Sequence, residues 1–141
     1  MPDPAAVFSR RIPGSFSDIH PLGEAISEWA DGRSVPPKVV NSVVLMLDEL
    51  ITNVVMHGFR DSGEGSIEVT VAIEDGFLTA MVRDSAPAFD PFSIAEPDTT
   101  LAADDRGIGG LGVHFVRRMS DGYGYRRDGE INEVTLRKRL A

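Results

Sequence analysis

Glu49 and Asn53 stand four apart in the run DELITNVVMHG. At that spacing an acid and an amide stack on one face of a helix. There the amide oxygen could ligate a cation, and the acid could accept a proton or orient a water. Asp84 ends an apolar run and opens the stretch Asp84-Ser85-Ala86-Pro87-Ala88-Phe89-Asp90-Pro91. A lone carboxylate in that position could receive the amino group of a nucleobase. The cluster Gly107-Ile108-Gly109-Gly110-Leu111-Gly112 leads straight into an amphipathic run, and N–H groups exposed by glycines at a helix start bind anions. Together these segments describe a site for a magnesium nucleotide.

Each segment has a plainer reading on its own. An acid–amide pair is usually an exposed polar stripe, but here it sits among strong apolar residues, where polar groups need partners. Asp ends many strands because it begins turns well. Gly107, Gly109 and Gly112 also fit G-x-G-x-x-G, the dinucleotide signature, but that motif needs a strand immediately before it and a βαβ unit after it. This one follows a long polar stretch, only 29 residues remain after Gly112, and no Gly-Lys-Ser/Thr ending marks a P-loop. His57 reads as structural, at a helix end where a His favours the last carbonyls.

The elements that must position these residues alternate along the chain. Residues 5–12 read as a short strand. Phe16, Ile19, Leu22, Ile26 and Trp29 recur at helical spacing up to Gly32, a C′ stop, with Pro21 in the first turn. Pro36 and Pro37 open a second helix whose stripe runs Val40, Val43, Val44, Leu47, Leu50, Ile51, Val54, Val55 and ends at Gly58. Ile67, Val69, Val71 and Ile73 alternate with polar or small residues as a half-buried strand. Asp75-Gly76 signals a type I′ turn into a partner strand over 77–83. Residues 85–106 form a loop long enough to be functional. A third helix spans about 110–120, and Tyr123–Arg127 and Ile131–Arg139 form a hairpin around Asp128-Gly129. The fold class is therefore a two-layer α/β (α+β) sandwich, with helices on one face of a largely antiparallel sheet.

Bulk properties bound the function. A chain of 141 residues reads as one domain over 1–141 and can bury roughly two thirds of its extended surface. Without cysteine it has neither disulfides nor thiolate metal sites, which fits a cytoplasmic protein. The N-terminus has no signal-like core, and no apolar run near 20 residues points to a membrane. The net charge of −8 argues against direct nucleic-acid binding. It is unevenly spread, however: net −12 over residues 1–105 and net +4 over 106–141. A basic third around the glycine cluster suits a triphosphate. Taken singly, Arg126, Arg127, Arg137, Lys138 and Arg139 fit a solvated charged hairpin at least as well.

With these residues in view, the sequence resembles the Bergerat ATP-binding fold of gyrase-type ATPases, histidine kinases and bacterial anti-sigma serine/threonine kinases. Within it, the pattern is most similar to the anti-sigma kinases and their stand-alone relatives. That pattern is an acid-x-x-x-Asn helix ending His-Gly (Glu49–Asn53, His57-Gly58), then Asp-x-Gly-x-x-Phe-Asp-Pro (here Asp84 to Pro91). A Gly-Gly-Leu-Gly helix (Gly109–Gly112) and a strand ending Thr-Leu-x-Lys-x-Leu (Thr135 to Leu140) complete it. The likeness runs from about residue 36 to the end. It implies ATP and Mg²⁺ as ligands, with Asn53 ligating the metal and Glu49 as general base toward an attacking hydroxyl. Asp84 would receive the adenine amino group with Thr135 nearby, and Ala86 and Phe89 would belong to the nucleotide pocket. Residues 92–108 would form a lid, and Gly107, Gly109, Gly110, Leu111 and Gly112 would bring backbone amides to the phosphates. Arg106, by charge and position, would reach the γ-phosphate. One departure stands out: Ala86 takes the place of a family glycine, and its Cβ either crowds the base or is tolerated.

The resemblance implies a serine/threonine kinase that phosphorylates a small anti-sigma-antagonist protein and binds a sigma factor or similar regulator, and it is compatible with a homodimer. Two further readings stay open. One is a nucleotide-dependent binding module with little kinase activity. The other is the ATPase part of a histidine kinase split from its dimerising helices; against it, no helix pair with a phosphorylatable His precedes residue 36.

Overall fold

Period-two and period-3.6 patterns settle into strands and helices much as expected, in a computed structural model that describes residues 6–58, 66–93 and 108–141. The elements are β1 (Val7–Pro13), α1 (Ile19–Asp31), α2 (Pro37–Asn53), β2 (Ser66–Glu74), β3 (Phe77–Asp84), α3 (Ile108–Met119), β4 (Gly122–Asp128) and β5 (Ile131–Arg139). A 3₁₀ turn over Phe16–Asp18 precedes α1, with the Ser15 hydroxyl accepting from the Ser17 N–H. Pro21 then falls in the first turn of α1, where a missing N–H does no harm. Gly32 caps α1 in an ordinary right-handed conformation (φ −74°), and the left-handed residue of this loop is Ser34 (φ 60°). The α1 stop therefore does not use the freedom of glycine.

The five strands form one antiparallel sheet in the order β1-β2-β3-β5-β4. Asp75 (φ 51°) and Gly76 (φ 81°) make the type I′ turn between β2 and β3. The last hairpin turns one residue later than the sequence suggests. Asp128 pairs with Ile131, so Gly129 (φ 60°) and Glu130 form the turn. Positive φ at the first central position alone is the II′ pattern, which needs glycine there.

Ile67, Val69 and Val71 of β2, Leu78, Ala80 and Val82 of β3, and Val134 and Leu136 of β5 turn to one face and are buried. They meet the α2 stripe of Val43, Met46, Leu47, Leu50 and Ile51. By length and composition alone Pro37–Met56 could cross a bilayer, but this stripe packs in the core, as in a core helix. α1 lies against α2 closely enough that a Cβ on Gly23 would stand 3.0 Å from Val44 Cγ1. Among the described residues the other face of the sheet carries no helix, and it is largely polar. One row across it reads Arg11–Glu68–Arg83–Glu133–Arg126, alternating in sign over all five strands.

Candidate functional site

Glu49 and Asn53 are half-buried on the last two turns of α2. The helix does not continue regularly to Gly58: after Asn53 it widens into a single π turn over Val54–Gly58. Such turns are rare and frequent at functional sites. The side chain of His57 lies outside the described residues. Among the described residues neither the Glu49 nor the Asn53 side chain has a hydrogen-bond partner, so both remain available for a ligand.

Glu49 meets the glycine helix directly. A Cβ built on Gly112 would collide with Glu49 Oε2 and lie 3.3 Å from its Cδ. Two segments far apart in the chain, singled out separately from the sequence, therefore touch. Gly112 enters this contact through its missing side chain. α3 begins at Ile108, so the N–H of Gly112 lies a turn inside and bonds back along the helix. Gly109 and Gly110 fall in the first turn, whose N–H groups have no intrahelical acceptor. The side chain of Leu111, and all of Arg106 and Gly107, lie outside the described residues, as does most of the expected lid over 92–108.

Asp84 ends β3 as a buried acid, 4% exposed, at the margin of the apolar core. Its Oδ1 accepts from the Ala86 N–H and from Asn132 Nδ2, both at 3.0 Å. Asn132 was not legible as a site residue. It lies directly opposite Asp84 on β5, with Arg127 of β4 beyond it. Its Nδ2 also donates to the carbonyls of Ala86 and Pro87, at 3.1 Å each. Its Oδ1 accepts from Tyr125 Oη (2.6 Å), an Arg127 guanidinium N–H (3.1 Å) and the Phe89 N–H (3.3 Å). The exposed ring of Phe89 thus sits on a backbone tied to the same asparagine.

Ala86 is buried in the core cluster. Among the described residues only Ser34 and Asp75 are non-glycines with positive φ, so position 86 has an ordinary backbone that accepts a Cβ. Thr135 does not join Asp84. It pairs with Met81 on the helix-free face, because it stands an odd number of residues from Asn132 and side chains alternate across a strand.

Most of the basic C-terminal third is structural. Arg126 pairs with Glu133 (3.2 Å) and Asp128 (3.6 Å), Arg83 with Glu133 and Asp128 (3.3 Å to the latter). Arg137 lies over the Phe77 ring at 4.6 Å, and Lys138 donates to the Met119 carbonyl at the end of α3 at 2.7 Å. Arg127 alone of this group reaches the Asp84 cluster. A depression of about 400 Å³ opens at the same end of the sheet, lined by Arg11, Ser66, Glu68, Arg83, Asp84, Ser85 and Ile131. It contains neither Glu49 nor Asn53, and most of its charges belong to the row on the helix-free face.

Asp48, beside Glu49, has its carboxyl pushed above the ordinary 3.8, first by burial, then by the Glu49 charge, with His20 opposing. The folded state therefore holds this proton more tightly than the unfolded one. Stability falls as pH rises from 3.8 through the raised value, and above it the charged Asp48 costs its full amount. Asp48→Asn should raise the urea midpoint at pH 7, and the gain should fade as pH falls through the raised value and be gone below 3.8. A gain that does not vary with pH would assign the effect elsewhere.

The profile of the Histidine kinase-like ATPase domain matches residues 12–138. Two proteins called Anti-sigma F factor, both from Bacillus licheniformis, align over 82 residues at 21% and 29% identity, covering 58% of this chain and 56% of each relative. The chain thus spans about half the length of the curated relatives it matches. Among solved structures, the RsbU and RsbW domains of a Mycobacterium tuberculosis protein superpose with TM-score 0.64 at 18% identity, over 94% of this chain and 32% of that one. The Pseudomonas aeruginosa SiaB-SiaC complex gives 0.59 at 16%, over 95% and 91%. A blue-light activated histidine kinase of Erythrobacter litoralis gives 0.57 at 18%, over 88% and 41%. At these identities the structures establish a common fold.

Proposed function

Because the chain belongs to the histidine kinase-like ATPase domain family, matched over residues 12–138, we propose that it is a cytoplasmic, ATP-dependent serine/threonine protein kinase of the anti-sigma type. Its substrate would be a small anti-sigma-antagonist protein, and its second partner a sigma factor or related regulator. The likeness to the Anti-sigma F factors supports this choice within the family. The observation that carries the reading is the meeting of Glu49 with Gly112. It sets a carboxylate without a hydrogen-bond partner among the described residues against a helix whose first-turn amides can take phosphate oxygens.

The residues fit a magnesium nucleotide. No cluster of three or more His, Asp or Glu that could hold a metal occurs among the described residues. A Mg²⁺ ion held by the Asn53 amide oxygen would take its remaining ligands from water and phosphate oxygens, since this ion keeps several waters and commonly binds substrate phosphates. Bound there, it would neutralise phosphate charge, and this chain would supply positioning. Asn53 would hold the metal, Glu49 would take the proton of an incoming hydroxyl, and Asp84 would accept from the adenine amino group. Ala86, in an ordinary backbone, gives little support to the alternative of a binding module without transfer.

A wild-type chain with MgATP at about 100 times its Kd should gain roughly 2.7 kcal/mol of stability, read as a rise in Tm. Transfer of γ-phosphate from labelled ATP to the antagonist protein tests the kinase step. No thermal or calorimetric response at millimolar MgATP would remove the nucleotide reading. Tight binding without transfer would leave the binding module.

A further inference from the structure

We propose that Asn132 is a positioning residue that presents Asp84 as a one-oxygen acceptor and thereby sets base selectivity from the closing hairpin. The inference rests on the nucleotide reading above and concerns the same site. Asn132 is 4% exposed and has only one admissible orientation. Its oxygen faces two N–H donors and the Tyr125 hydroxyl, while its nitrogen faces two carbonyls and a carboxylate. Turned over, the amide would set N–H against N–H and oxygen against oxygen.

With the amide so fixed, Asp84 Oδ1 takes two donors, the Asn132 amide and the Ala86 N–H. Among the described residues no donor meets Oδ2. That oxygen accepts and cannot donate while the carboxylate is ionised. It therefore favours a purine carrying a 6-amino group and repels one carrying a 6-oxo group. Removing Asn132 frees the carboxylate to turn and leaves the Ala86 and Pro87 carbonyls without this donor. Arg127 and Tyr125 act one step further out, because they hold the Asn132 oxygen from β4.

The test uses the full chain and two probes, MgATP and the magnesium salt of inosine triphosphate, whose base has oxygen in place of the 6-amino group. Calorimetry gives both Kd values for wild type, Asn132→Leu, Tyr125→Phe and Arg127→Gln, and the Tm of each without ligand reports folding. Wild type should prefer ATP by about 10–100-fold, the range for a hydrogen bond to a charged group. In Asn132→Leu the ratio should approach one, chiefly through weaker ATP binding, and Tyr125→Phe and Arg127→Gln should fall between. A merely structural loss would weaken both nucleotides together and keep the ratio. An unchanged ratio in a folded Asn132→Leu overturns the inference. Should that variant not fold, an unchanged ratio in both Tyr125→Phe and Arg127→Gln overturns it equally. Tight ATP binding with one ratio throughout removes only the role of Asn132, whereas wild type binding neither nucleotide removes the nucleotide reading as well.

Discussion

Glu49→Gln should lower phosphoryl transfer to the antagonist protein by about 10²–10⁴-fold while MgATP affinity stays within a few-fold. The two effects would separate because, on the proposed reading, the carboxylate would work on the proton of the attacking hydroxyl and would not be needed to hold the nucleotide. Gln preserves the shape that rests against Gly112, so the lesion is one of proton affinity. It is read in single turnovers with saturating ATP, where binding and chemistry are resolved. Equal single-turnover rates for wild type and variant would strip Glu49 of the role of base. A parallel fall in ATP affinity would mean that it holds the nucleotide instead.

Asn53→Ala should abolish the Mg²⁺-dependent part of ATP stabilisation. At about 100 times the wild-type Kd that part contributes most of roughly 2.7 kcal/mol, so the Tm rise should shrink toward that seen with ATP and a chelator. The apo protein should be little affected, since Asn53 is half-buried and its side chain makes no hydrogen bond to the described residues. Retention of the full magnesium-dependent shift in Asn53→Ala would remove the residue from the metal site.

The fold was legible because its signals are local. The alternation of Ile67, Val69 and Val71, the stripe of α2 and the turn at Asp75-Gly76 each lie within a few residues, and the sheet follows from them. Half of the candidate site was legible for the same reason: Glu49 and Asn53 share a helix face at a spacing that any reader can count. Asn132 was not, because its importance comes from the register of β3 against β5, which brings it opposite Asp84. No pattern near Asn132 encodes that pairing. Thr135 shows the converse error, since a threonine three positions along looks equally available until strand parity turns it to the other face. Gly112 was identified for its amide and matters for its missing Cβ, a distinction that depends on where α3 starts and on what α2 brings against it.

The Asp84–Asn132 bond joins residues 48 apart in sequence, and this separation has a kinetic consequence. Hairpins such as β2–β3 close over a few residues and form in microseconds. Pairing β3 with β5 must first pay the entropy of closing the long intervening segment, which includes α3 and β4. Contacts of high sequence separation form late and slowly. During folding, α2 can therefore assemble with its acid and amide in place before the strand-end acid has its asparagine. Nucleotide recognition at Asp84 would then be among the last properties the chain acquires, and a ligand that needs that bond would bind only molecules whose final strand has already docked.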